Sequence, residues 1–228
     1  MQNFNIVKRT PAPDTFRTNY VSSTYDLNSN NLKQVFSGTL DINFDWNIGL
    51  IVGNSGTGKS TIAKELFPNN FIDKLEYKSK SLLDDFPESA TIKEICIALS
   101  NVGFSTPPSW LKPHSVLSNG EKMRCDIARV MLENDFAVYD EFTSVIDRNV
   151  AKIGSYATQK YIRKTNKKFV AVTCHHDVED WLLPDWVLNT DNMLFTKKKT
   201  LSDQKLNATY TKSKKKNTIG NFLESIII

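Results

Sequence analysis

The stretch GNSGTGKST, Gly53 to Thr61, follows the apolar run Ile48, Gly49, Leu50, Ile51, Val52 and leads into Ile62, Ala63, Lys64, Glu65, Leu66, Phe67. The first run predicts a short buried strand and the second a helix. A glycine-rich turn between a strand and a helix N-terminus leaves several backbone N–H groups without partners. They point at one spot, where the helix dipole adds partial positive charge. Phosphate is the natural occupant.

Gly53 and Gly58 hold the two glycine positions of the P-loop pattern, and Lys59 and Ser60 complete it. Asn54, Ser55, Gly56, Thr57 and Thr61 make up the rest of the stretch. Gly56 lets the loop wrap closely around an anion because no side chain blocks its backbone. Lys59 is expected to reach the β- and γ-phosphates as a point charge, and the Ser60 hydroxyl is the expected ligand to Mg²⁺.

At 228 residues the chain is long enough for one sizeable core. The expectation is one domain over residues 1–190 and a basic tail over 191–228. The hydrophobic content of 40% is ordinary for a soluble protein, and no apolar run approaches the roughly 20 residues that span a bilayer. Met1 to Asp14 has no apolar core of signal-peptide length, so a cytoplasmic location is expected. Cys96, Cys125 and Cys174 show neither metal spacing nor a disulfide framework and read as buried thiols. The net charge of +4 names no partner. Lys197 to Lys199, Lys212 and Lys214 to Lys216 concentrate basic charge in the tail, which suits either nucleic acid or a solvated, disordered segment. The chain ends on Ile226 to Ile228.

The first 45 residues read as short strands and turns, with Leu40, Ile42 and Phe44 alternating and Asn28 to Asn31 as a turn signal. Tyr25 is the candidate for stacking on a nucleotide base, with packing against the sheet as the other reading. Between Phe67 and Trp110, Pro68, Pro87, Pro107 and Pro108 break the pattern. Thr91 to Leu99 predicts a helix with Thr91 as N-cap and Glu94 closing a capping box. The span of about 68–117 reads as a small helical insert.

Leu117, Ser118, Asn119, Gly120 and Glu121 precede a helix over Lys122 to Glu133. Ser118 is a good N-cap, Gly120 permits close backbone approach, and the helix start offers a second anion site. Phe136, Ala137, Val138, Tyr139 then predict a strand that ends in Asp140 and Glu141. An acid in that place typically holds Mg²⁺, which suits Asp140. Glu141 is then placed to orient and deprotonate a water in line with the γ-phosphate. Asp147 stands near the start of a helix of about 15 residues, where by itself it is a cap. Phe169 to Cys174 predicts another strand, ending in His175, His176 and Asp177. One of the two histidines is expected to hydrogen-bond a γ-phosphate oxygen. Val178 to Leu183 and Trp186 to Leu188 finish the core.

The order of these parts resembles the ATP-binding cassette (ABC) family from about Tyr25 to Leu188. The P-loop resembles its Walker A motif, LSNGE its signature and AVYDE its Walker B motif with the catalytic glutamate. SVID resembles its D-loop, and CHHD its switch-histidine region. The resemblance implies an α/β P-loop fold with a mostly parallel central sheet, an N-terminal antiparallel β subdomain and a shortened helical subdomain. It implies ATP and Mg²⁺, and a homodimer in which Ser118, Asn119, Gly120 and Glu121 of one copy, with Asp147, complete the nucleotide site of the other.

Three departures from the family pattern bear on function. No glutamine occurs from Ile62 to Val116, so the usual Q-loop ligand is missing and Asp85, or Asp84, is the candidate substitute. The span from Lys59 to Ser118 is short for a transporter subunit. Glu121 replaces the signature glutamine, as in chromosome-maintenance and break-repair ATPases. FPESATIKEI, GFSTPPSW and CHHDVEDWLLPDW also resemble soluble bacterial and phage cassette ATPases, some fused to an acetyltransferase domain. The roughly 40 residues after Leu188 are too few for that second domain. Alignment with that group favours His175 as the switch, and alignment with transporters favours His176. The expected function is ATP hydrolysis by a dimerising switch, with nucleic acid or a separate effector as partner. Its rivals are a transporter's nucleotide-binding subunit and an interaction module with little hydrolysis.

Overall fold

Ile48, Leu50 and Val52 point into one hydrophobic core and Ile51 into another, as the two-residue period of a strand demands when both of its faces are covered. The structure, a computed structural model, describes residues 2–9, 14–27 and 33–198. The turn at Asn28 to Asn31, the tail lysines from Lys199 onward and Ile226 to Ile228 lie outside the described residues.

Strand β3 (Ile48–Val52) is the fully buried centre of a six-stranded sheet ordered β4-β5-β6-β3-β7-β8. The other members are β4 (Phe71–Ile72), β5 (Phe136–Tyr139), β6 (Lys168–Thr173), β7 (Trp186–Asn189) and β8 (Leu194–Lys197). All neighbours are parallel except β7 and β8. A separate antiparallel pair joins β1 (Gln2–Arg9) to β2 (Lys33–Leu40). The fold is therefore α/β, with a mostly parallel central sheet and an N-terminal antiparallel β element.

Helix α2 (Lys59–Leu66), Trp46 and the β1/β2 pair cover one face of the sheet. The other face is covered by α3 (Ile92–Asn101), α4 (Pro107–Trp110), α5 (Asn119–Glu133), α6 (Arg148–Thr165) and α7 (Val178–Leu182). Gly49 has no side chain because the Trp186 indole occupies the space of its Cβ. Buried Asp185 accepts hydrogen bonds from the N–H groups of Asn47 and Ile48, each at 2.9 Å, and pairs with Arg163 at 3.0 Å. This anchors the start of β3 and so fixes where the P-loop emerges at its far end.

Several expectations need adjustment. The first 45 residues contain a helix, α1 (Phe16–Thr24), not only strands and turns. A capping box between Thr15 and Thr18 starts it, although it buries no residue. Ile42 and Phe44 lie beyond β2. Within the span 68–117, β4 belongs to the main sheet, and β8 carries that sheet to Lys197. The Thr91–Glu94 capping box is present as expected.

Candidate nucleotide site

At the end of β3 the three P-loop glycines serve different needs. Gly56 and Gly58 both have φ of +84°, a conformation that disfavours any side chain. A Cβ on Gly58 would also strike the Phe36 ring, and one on Gly53 would strike the Thr190 hydroxyl. Thr57 Oγ1 donates to Asn54 O at 2.9 Å and shares a 2.6 Å hydrogen bond with Thr190 Oγ1. Lys59 Nζ folds back onto Asn54 O at 2.7 Å. Asn54, Ser55 and Gly56 are exposed, and Thr61 lies in the first turn of α2. That helix begins with no side-chain cap and no acidic residue in its first turn. Its positive end is left for an anion.

Asp140 leaves β5 half-buried, and Glu141 follows it, exposed and with φ of +53°. The Glu141 N–H donates to Asp140 Oδ1 at 2.9 Å. Ser60, Asp140 and Glu141 line one cavity of about 430 Å³. A hydroxyl and carboxylates are hard oxygen donors, so Ser60 and Asp140 fit Mg²⁺.

The two histidines turn to different partners. His175 is half-buried, with its Nδ1 buried and without a partner among the described residues. Burial, then the Arg148 guanidinium, lowers its pKa, and the carboxylates of Asp177 and Glu141 oppose the shift. Arg148 itself pairs with Asp177 and lies over the Trp181 ring. His176 is exposed, with Nε2 3.4 Å from Asp191 Oδ2. The other oxygen of Asp191 accepts the Asn54 N–H at 2.8 Å. His175 thus belongs to the Glu141 side of the site and His176 to the P-loop side.

Ser118 caps α5, and Glu121 Oε2 accepts from the Ser118 N–H at 3.0 Å and its hydroxyl at 2.8 Å. Glu121, the last residue of LSNGE, therefore closes a capping box. Asn119 Nδ2 donates to Val145 O at 3.1 Å. Gly120 is buried against α6, where a Cβ would strike Val150 Cγ1. Asn119 and Glu141 line a second cavity, of about 200 Å³.

Other expected residues are occupied locally. Asp147 caps α6 through the N–H groups of Asn149 and Val150. Asp85 accepts from the N–H groups of Lys78 and Ser79 and is not in the wall of the larger cavity. Tyr25 is the C-cap of α1, 70% exposed, with no described contact to the P-loop.

The sequence reading missed Thr190 and Asp191, which brace the P-loop from the end of the neighbouring strand β7, and a polar cluster in the cavity wall. That cluster joins Tyr77, His114, Asp126 and Tyr139. A signal was available: Asp126 interrupts the apolar face of α5 formed by Met123, Ile127 and Val130.

No protein-family model matches the chain, and no curated protein matches it. Solved structures do. One is an inward-facing transporter described as of the metal-chelate ABC type (18% identity, 71% of this chain, 75% of that one, TM-score 0.55). Another is cbiO1 from Clostridium perfringens, part of the ABC transporter complex cbiONQ (19%, 63% and 72%, TM-score 0.52). A third is the dimeric ATP-binding cassette MJ0796 in a post-hydrolysis state with ADP and Pi (15%, 74% and 94%, TM-score 0.54). The fold is that of an ABC-type P-loop ATPase cassette.

Proposed function

We propose that this chain binds and hydrolyses ATP with Mg²⁺ and that two copies close head to tail around two nucleotides. The observation that carries the reading is the convergence of Ser60, Asp140 and Glu141 on one cavity beside the start of α2. The P-loop N–H groups and Lys59 would hold the β- and γ-phosphates, with Ser60 and Asp140 as ligands to the metal. Mg²⁺ would supply charge neutralisation of the triphosphate. Glu141 would orient an attacking water and take its proton. One histidine would donate to a γ-phosphate oxygen, and Tyr25 would stack on the base.

The partner copy would contribute the turn Ser118 to Glu121 and Asp147. Val116 and Val145 flank that turn and are 62% and 71% exposed, which suits a face that a second copy covers. The reading we favour is a switch that acts on a separate effector or nucleic acid, given the short insert between β4 and Ser118. The alternative is a transporter's nucleotide-binding subunit, which is favoured by the similarity to cassettes that belong to ABC transporters. Among the described residues no helix is long and apolar enough to cross a membrane.

Glu141→Gln is the test. It should retain ATP, lose turnover by at least about a hundredfold, and elute as a dimer when ATP and Mg²⁺ are present. A chain that stays monomeric with ATP defeats the head-to-tail arrangement. The partners that co-purify with the trapped variant separate a membrane complex from a nucleic-acid or effector complex.

A further inference from the structure

The carboxylate of Asp126 is a meeting point for three elements. Its Oδ1 accepts from the Tyr77 hydroxyl at 2.8 Å and lies 3.2 Å from His114 Nε2. Its Oδ2 accepts from the Tyr139 hydroxyl at 2.9 Å. Tyr139 is the last residue of β5, directly before Asp140. Tyr77 lies in the segment that leaves β4 for the helical insert. Asp126 itself sits on α5, about 12 Å along the axis from the Ser118 cap at 1.5 Å per residue.

The hub is tightly supported. The Tyr77 and His114 rings stack with centroids 3.7 Å apart and planes 3° from parallel. The Arg129 guanidinium covers the Tyr77 ring at 4.9 Å. Burial, with the Asp126 charge contributing, raises the pKa of both phenols, so each keeps the proton it donates. The cavity that holds Ser60, Asp140 and Glu141 is also walled by Tyr77, His114 and Asp126. His114, Cys125 and Asp126 bring potential metal ligands within 4.8 Å of one another. Burial nevertheless pushes the Cys125 thiol up to about 12, and both Asp126 oxygens already accept phenol protons. The cluster is arranged as a hydrogen-bond hub.

β4 and β6 hold the Tyr139 backbone from both sides, Ile72 against Tyr139 and Tyr139 against Ala171. The side chain of Tyr139, through Asp126, adds a hydrogen-bonded tie between the end of β5 and the helix that starts at Ser118. We propose that Asp126 is a positioning residue for Asp140 and Glu141. By gripping Tyr139 from α5, it couples the placement of the Ser118 turn to that of the metal-binding carboxylate. Tyr77 brings the insert into the same link. This rests on the reading of Asp140 as a ligand to Mg²⁺.

The test uses the purified full chain with Asp126→Asn, Tyr139→Phe and both together. The probe is a fluorescent ATP analogue titrated first in EDTA and then with Mg²⁺. All variants should bind alike in EDTA. The Mg²⁺ concentration that gives half-maximal tightening should rise about tenfold in each single variant, the usual cost of losing a group that orients a metal ligand. The double variant should be no worse than Asp126→Asn alone. Unchanged Mg²⁺ dependence with a lowered melting temperature would reduce Asp126 to a structural residue, and independent, multiplying effects would break the link to Tyr139. Stoichiometric uptake of Zn²⁺ alone, lost in His114→Ala, would make the cluster a metal site instead. If Asp126→Asn does not fold, Tyr139→Phe decides alone. Wild-type binding indifferent to Mg²⁺ overturns the proposal. Wild-type chain that tightens with Mg²⁺ but never turns over ATP defeats only the hydrolysis reading.

Discussion

Gly120 lies so close to Val150 that a Cβ added to it would stand 2.6 Å from Val150 Cγ1. The contact locks the first turn of α5 onto the first turn of α6, and with it the Ser118 turn onto the segment that follows Glu141. Gly120→Ala should therefore destabilise the fold by about 1–3 kcal/mol through overpacking. Gly120→Ala combined with Val150→Ala should recover most of that loss. Denaturant unfolding of the three variants checks it. A glycine kept only for close approach to phosphate would instead give a Gly120→Ala chain at least as stable as wild type, by up to about 1 kcal/mol.

The Ser118 cap offers a second prediction. Removing the hydroxyl in Ser118→Ala should cost about 1 kcal/mol. Burial pushes the Glu121 pKa up, but the Ser118 N–H and hydroxyl, with Ser109 and Arg124, outweigh it and leave the carboxyl below its ordinary 4.5. A carboxyl depressed in the folded state lends stability above its unfolded pKa and loses it as pH falls through the folded value. Glu121→Gln should accordingly differ least from wild type at acid pH and most above about pH 5. Unfolding midpoints across pH 3 to 7 measure this.

The parts that sequence made legible are those whose cause is local. The apolar run ending at Val52, the glycines at 56 and 58 and the Thr91–Glu94 box each carry their reason within a few residues. Helix α1 was missed for the opposite reason. It buries nothing, so no hydrophobic period marks it, and its Ser, Thr, Tyr and Val content reads as extended chain. The Thr15–Thr18 cap overrides that preference. Asp191 and Thr190 brace a loop far away in sequence because β7 lies beside β3, and no local pattern carries that adjacency. Tyr77 and Tyr139 likewise meet at Asp126 only through the packing of α5.

His175 and His176 were equivalent in sequence and are not in space. Arg148, Asp177 and Glu141 all act on His175, whereas His176 is paired with Asp191 at the surface. His175→Ala should lower turnover by about a hundredfold, and His176→Ala far less. Because burial and Arg148 lower the His175 pKa, the unfolded chain takes up its proton first as pH falls. Stability from this group is complete above about pH 6.5 and declines below it. His175→Phe should flatten that acid slope, which unfolding at pH 5.5 and 7.5 would reveal.

Glu141 sits in the left-handed region, where a side chain clashes with its own backbone at a cost of roughly 1–2 kcal/mol. Glycine avoids that clash and gives back part of the gain through greater freedom in the unfolded chain, leaving about 1 kcal/mol of net stabilisation. Glu141→Ala keeps the strain and loses the carboxylate, while Glu141→Gly loses both. The two should be equally inactive in ATP turnover, yet Glu141→Gly should unfold at higher denaturant concentration. The difference between them isolates the strain from the chemistry, since neither retains a base. If instead the glycine variant is the less stable by about 0.4–1 kcal/mol, the backbone at 141 is relaxed and its conformation owes nothing to the placement of the carboxylate.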